Sequence, residues 1–91
     1  MIVQQIIRSC SNMHVAHAAV ISIGGDFAEH LAAEELRWDL PTGMLAAIIV
    51  RGFSAKADND QRAGVRKAAH DADQPILSGL RHILLQSALL R

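Results

Sequence analysis

The sequence predicts a mainly α-helical fold with one short β-strand, built as an intertwined dimer with two further helices at the C-terminus. The strand is predicted at residues 19–23, where Ala19, Ile21 and Ile23 alternate with Val20 and Ser22, the period of two of a half-buried strand. Two helical segments follow it, separated by a turn that contains a proline. A lone strand cannot satisfy its backbone hydrogen bonds, and even two strands are marginal unless something packs on them. We therefore expect the same strand of a second copy as its partner.

The composition indicates one small domain. Ninety-one residues are near the size at which the core of a monomer becomes thin. The formal net charge is zero, so no overall basic field indicates nucleic acid or a membrane surface as the partner. The longest uninterrupted apolar run, residues 44–50, is far shorter than the roughly 20 residues that cross a bilayer. Because the N-terminus also lacks the pattern of a secretory signal, we expect a cytoplasmic protein.

The chain divides into three predicted parts. Residues 1–17 form an N-terminal arm or short helix, residues 18–56 the dimerisation core, and residues 57–91 a two-helix C-terminal extension. In the core, Gly24 and Gly25 end the strand, and Asp26 is placed to cap a helix that runs to about Trp38. Phe27, Leu31 and Trp38 fall on one side of that helix, which we expect to face the core.

The second helix of the core, at about residues 43–53, is apolar on nearly all sides. Pro41 ends the helix before it, since the residue preceding a proline is disfavoured in the helical region. Arg51 is the only charged residue in its eleven positions. A helix that is apolar all round must be buried all round. In a chain this small, a partner subunit is the simplest source of that cover.

The C-terminal extension is predicted to contain a weakly amphipathic surface helix, ending at about residue 71, and a leucine-rich helix that begins at Pro75. Proline is tolerated at the first turn of a helix, where its missing amide is not needed. Leu85 and Leu89 lie on a different side of this helix from its main apolar stripe. A helix with two apolar sides contacts two things, so we expect Leu85 and Leu89 to bind a partner protein.

Residues 21–31 (ISIGGDFAEHL) and 40–53 resemble the ribbon-helix-helix superfamily, and the run SIGGDF is most similar to its antitoxin branch. The resemblance implies a symmetric dimer whose paired strands enter the major groove of DNA. The outward strand positions Ala18, Val20 and Ser22 would contact bases, and the amides near Thr42 and Gly43 would bind phosphate. The residues expected at the dimer interface are Ala19, Ile21, Ile23, Leu45, Ile49 and Phe53.

The strand's side chains are unusual for a DNA-reading ribbon, so two functions remain open. Base edges are read by hydrogen bonds, and Ser22 is the only polar group among the three outward positions. The first function is a dimeric, antitoxin-like transcriptional regulator that binds operator DNA. Arg8, Arg51 and Lys56 would add some affinity for phosphates. The second is a helical dimerisation and protein-interaction module that does not bind DNA and uses the leucine-rich C-terminal helix.

No residue pattern indicates an enzyme, a cofactor or a metal site. His14 and His17 are three residues apart and could share one side of a helix. A zinc site needs three or four ligands, and the spacing indicates no third one. Cys10 is the only cysteine, so an intramolecular disulfide is impossible, and a buried thiol is its expected state. We therefore expect a protein without catalytic activity.

Overall fold

The computed structural model describes residues 2–70 and 72–87, and all the regular secondary structure within these ranges is helical. The helices are α1 (Ile2–Cys10), α2 (Met13–Ile23), α3 (Gly25–Trp38), α4 (Thr42–Lys56), α5 (Asn59–Ala69) and α6 (Pro75–Leu85). The predicted mainly helical character agrees with this architecture. The predicted strand is wrong, because no strand forms in the described residues. The ribbon-helix-helix core, which depended on that strand, is therefore wrong as well.

Residues 19–23 belong to the second half of α2 and form no strand. Asn12 caps this helix, because its side-chain oxygen accepts hydrogen bonds from the amides of His14 and Val15 at 2.8 and 3.3 Å. The inward-facing residues are Ala16, Ala19, Val20 and Ile23. Their spacing of three, one and three is that of one face of a helix, which a window of only five residues conceals.

The crossing of α2 over α4 is the centre of the fold, and α2 packs more extensively on α4 than on any other described helix. Gly43 lies at the crossing. A Cβ atom built on Gly43 would collide with the carbonyl oxygen of Met13 and with Cβ of His17. A glycine is therefore what allows the two backbones to approach this closely.

A single core draws on all three predicted parts of the chain. Val3 and Ile6 of α1, and Leu80 and Leu84 of α6, are buried in the same cluster as Leu45 of α4. Helix α4 is covered by α1, α2, α3 and α6 of its own chain. We expected that a partner subunit must cover α4. That expectation loses its basis, because α1 and α6, from the predicted N-terminal arm and C-terminal extension, help to cover this helix.

Two carboxylates hold the corner between α3 and α4. Asp39 ends α3 in the left-handed region, with φ of 54°, and Pro41 precedes the first residue of α4. Glu35 accepts a hydrogen bond from the amide of Thr42 at 2.9 Å. The residue before it, buried Glu34, accepts a hydrogen bond at 2.9 Å from the indole Nε1 of Trp38, one turn further along α3. The first contact joins α3 to the start of α4, and the second ties the last turn of α3 together.

Candidate functional site

The residues predicted to read DNA do not form a common surface. Ala18 and Ser22 are exposed on α2, whereas the Val20 side chain is 1% exposed and packs in the core. Alternate residues of a strand share one face, but in a helix Ala18 and Ser22 lie on one side and Val20 on the opposite side. The three assignments assumed a strand, and this segment is a helix.

The predicted phosphate site at the start of α4 is closed within the chain. Thr42 and Gly43 are both buried. The Glu35 carboxylate accepts from the Thr42 amide, which is one of the unpaired amides that an anion would otherwise use. The other side of Gly43 is filled by Met13 and His17 of α2. A carboxylate of the chain itself thus occupies the place where the family pattern puts a DNA phosphate.

The residues predicted for the dimer interface have separate locations. Ala19, Leu45 and Ile49 are buried in the core of the single chain, and Ile23 and Phe53 are half-buried against it. Ile21 differs, because its side chain is 62% exposed on the outer side of α2. Of the two residues predicted to bind a partner protein, Leu85 is exposed on α6, and Leu89 lies outside the described residues.

An apolar groove of about 470 Å³ opens between the second half of α4 and the C-terminal end of α6. Its floor consists of Ile49, Phe53 and Ile83, and exposed Ile48 stands at one edge. Gly52 lies midway along α4, and no atom lies within 4 Å of a Cβ built there. The remaining lining residues are Lys56, Ala57, Gln61, Gln86 and Ser87. We call this depression the α4–α6 groove.

The outer side of α3 carries the most exposed large apolar side chain in the described part of the protein. Leu36 is 89% exposed. Glu29, Ala32 and Ala33 are exposed on the same side of the helix, seven, four and three residues before it. These four residues make a narrow projection, which we call the α3 ridge, with a leucine at one end and a carboxylate at the other.

Charge is separated between helices although the chain is neutral overall. Helices α1, α4 and α5 together carry six Lys or Arg residues and one Asp, a formal charge of +5. Helix α3 carries four Asp or Glu residues and one Arg, a formal charge of −3. Within α3 itself, Arg37 forms an ion pair with Glu34 at 3.6 Å.

Much of the positive charge lies along the line where α1 packs on α5. Arg8 and Arg62 line one pocket of about 210 Å³ together with Gln4, Ile7 and Ser54. One turn further along α5, Arg66 lies against the start of α1, and Lys67 is exposed beside it. We call the set Arg8, Arg62, Arg66 and Lys67 the α1–α5 seam.

Sequence reasoning missed both the groove and the seam. The α4–α6 groove depends on how α6 returns to α4, which no local pattern specifies. A partial signal for the seam was present, because Arg62 and Arg66 are four residues apart and therefore share a side of α5. Leu36 could also have been found, since it falls opposite the stripe of Phe27 and Leu31 at 100° per residue.

Cys10 is fully buried, and desolvation raises the pKa of its thiol above the ordinary value. No group of three or more potential metal ligands occurs within residues 2–70 and 72–87. Nor does any helix in those ranges have the length and apolar character needed to cross a membrane.

Comparison of the chain with protein-family models, curated proteins and solved structures finds no match.

Proposed function

We propose that this protein is a helical self-association module in which the α3 ridge of one copy inserts into the α4–α6 groove of another. The observation that carries the proposal is the 89% exposure of Leu36 on a helix whose other side is packed in the core. Full burial of a leucine side chain contributes about 1.5–3 kcal/mol. An exposed leucine beside two small alanines has the form of a knob that fits a depression.

The lengths of the ridge and the groove match. Glu29 and Leu36 are seven residues apart on α3, which corresponds to about 10.5 Å along the helix axis. Ile48 and Lys56 are eight residues apart on α4, which corresponds to about 12 Å. With Leu36 placed against Ile48, the alanines lie over Gly52 and Glu29 reaches the neighbourhood of Lys56. The ridge is a helix that enters an apolar groove, a recurrent mode of recognition.

The charges favour the same pairing and give it a direction. Helix α3 has a formal charge of −3, and Lys56 stands at one end of a groove whose other lining residues are uncharged. Opposite charges across an interface increase the rate of association and select the orientation. Since the ridge and the groove are different surfaces of the chain, the contact is heterologous and can continue from copy to copy.

The test uses two variants that each remove one half of the contact. Leu36→Asp places a charge on the ridge, and Gly52→Arg fills the groove at a position where an added side chain meets open space. Self-association is measured by sedimentation equilibrium up to about 1 mM protein, because an interface of one helix is at the weak end of the known range. Wild type is expected to associate, and each variant alone is expected to be monomeric.

Mixing the two variants provides the decisive measurement. A mixture retains one intact ridge and one intact groove, so it is expected to form a 1:1 dimer that does not grow further. Ile21→Asp is the matched control, since Ile21 is exposed but belongs to neither surface. A wild type that remains monomeric, or association that is lost in Ile21→Asp and kept in Leu36→Asp, would overturn the proposal.

A further inference from the structure

We infer that the α1–α5 seam binds the phosphate backbone of a nucleic acid, independently of self-association through the α4–α6 groove. The inference rests on side chains from two segments far apart in the chain that come together only in the folded protein. Arg8 of α1 and Arg62 of α5 line the same pocket, and Arg66 and Lys67 continue the positive charge along α5.

The cations of the seam are not neutralised by any carboxylate in residues 2–70 and 72–87. None of Arg8, Arg62, Arg66 and Lys67 forms an ion pair with a carboxylate among the described residues. Asp60 lies on the opposite side of α5 from Arg62, two residues away along the helix. The carboxylate of Asp58 caps α5 by accepting from the amide of Gln61 at 2.8 Å.

The pocket at one end of the seam is suited to a phosphate group. Arg62 is held in place, because it donates to the carbonyl oxygen of Ser54 at 2.9 Å and lies over the Phe53 ring. Arg8 makes no hydrogen bond to any described residue, so its donors are available. The Gln4 amide and the Ser54 hydroxyl add neutral donors on the same walls. Guanidinium groups bind phosphate oxygens through two parallel hydrogen bonds.

The repetition of charge along the seam favours nucleic acid over a single anion. Arg62 and Arg66 are one helical turn apart, about 6 Å along the axis. A nucleic acid presents a phosphate at every nucleotide, so a row of cations can contact several at once. In this inference the cations of the seam contact phosphates and not base edges. We therefore expect binding that depends strongly on salt and weakly on base sequence.

The salt dependence gives the inference a number. If all four cations contact phosphates of duplex DNA, the slope of log K against log salt concentration is about −3.6. Each phosphate contact then contributes roughly eightfold to the affinity at 0.1 M salt. The Arg8→Gln/Arg66→Gln double variant is expected to reduce the slope to about −1.8 and to weaken binding roughly 60-fold at 0.1 M salt.

The experiment titrates the full chain into a short, fluorescently labelled DNA duplex of arbitrary sequence and follows anisotropy from low to moderate salt. Lys56→Gln is the matched control, because it removes one positive charge from the groove and leaves the seam intact. Its affinity is expected to change by less than about twofold. Circular dichroism melts establish that all the variants are folded.

Three results would overturn the inference. The first is no binding of wild type to DNA at low salt. The second is a loss of affinity in Lys56→Gln as large as in the double variant, which would mean that only net charge matters. The third is binding to vesicles of anionic lipid that depends on Arg8 and Arg66 while DNA is not bound, which would assign the seam to a membrane surface. Since none of these measurements depends on Leu36 or Gly52, self-association can fail without affecting them.

Discussion

The same substitution, glycine to alanine, should have opposite effects at two positions of α4. At Gly43 the added methyl group would collide with the carbonyl oxygen of Met13 and with Cβ of His17. The carbonyl belongs to the backbone of α2, so it cannot rotate away as a flexible side chain could. The two helices must move apart, and the centre of the core loosens. At Gly52 the same methyl group meets no atom within 4 Å.

The expected magnitudes follow from these environments. Overpacking a well-packed site costs typically about 1–3 kcal/mol. For Gly43→Ala we expect a loss of about 2 kcal/mol in the free energy of unfolding, which lowers Tm by roughly 8–16 °C in a domain of this size. Within an exposed helix, alanine is more stable than glycine by roughly 0.5–1 kcal/mol. For Gly52→Ala we therefore expect Tm to rise by roughly 2–8 °C.

Urea and thermal unfolding followed by circular dichroism at 222 nm measure both changes, at a protein concentration low enough to avoid association. Gly52→Ala is the control for Gly43→Ala, because it makes the identical chemical change in the same helix. If Gly43→Ala is as stable as Gly52→Ala, then α2 and α4 do not cross as closely as described. The reasoning would also fail if Gly52→Ala were destabilising by more than Gly43→Ala.

Two further predictions concern α2 and the core. Asn12→Ala removes the side chain that caps α2 and is expected to cost about 1 kcal/mol, seen as a fall in Tm of roughly 4–8 °C; an unchanged Tm would contradict a helix that begins at Met13. The buried Cys10 thiol is expected to react with a thiol reagent at pH 8 many times more slowly in the native protein than in urea. Because folding raises the pKa of this thiol, the unfolded chain loses its proton first, and stability should fall as the pH rises above the unfolded pKa. Equal rates of reaction of Cys10 with the reagent in the native protein and in urea would refute the burial of this thiol.

The helices α3 to α6 could be predicted because their signals are local. Pro41 separates α3 from α4, and Pro75 occupies the first turn of α6. The error concerned α2, where the run of five residues AVISI satisfies a period of two by chance. Over eleven residues, Ala16, Ala19 and Val20 have helical spacing, and Asn12 supplies a cap. One of the two grounds for the predicted dimer followed from that error, since a strand needs a partner and a helix does not; the other was the apolar character of α4.

The candidate sites were largely beyond sequence reasoning, for a different physical reason. Arg8 and Arg62 stand far apart in the chain, and only the packing of α1 on α5 brings them to one pocket. The same holds for Ile48 and Ile83 on the two walls of the groove. Leu36 is the exception. Its position opposite the core stripe of α3 follows from the helical period. The groove that we propose binds it, by contrast, depends on the fold.

The corner between α3 and α4 gives the protein an intrinsic spectroscopic reporter. Trp38 is the only tryptophan in the chain, and its indole is tied to Glu34 at the last turn of α3. The emission maximum and quenching of an indole depend on its contacts with water and with neighbouring charges. Fluorescence of the unlabelled protein therefore records the state of this one corner. Trp38 follows Glu35, which contacts the start of α4, by three residues. A change in how α3 meets α4 can thus be followed at an optical signal that no other residue of the chain contributes.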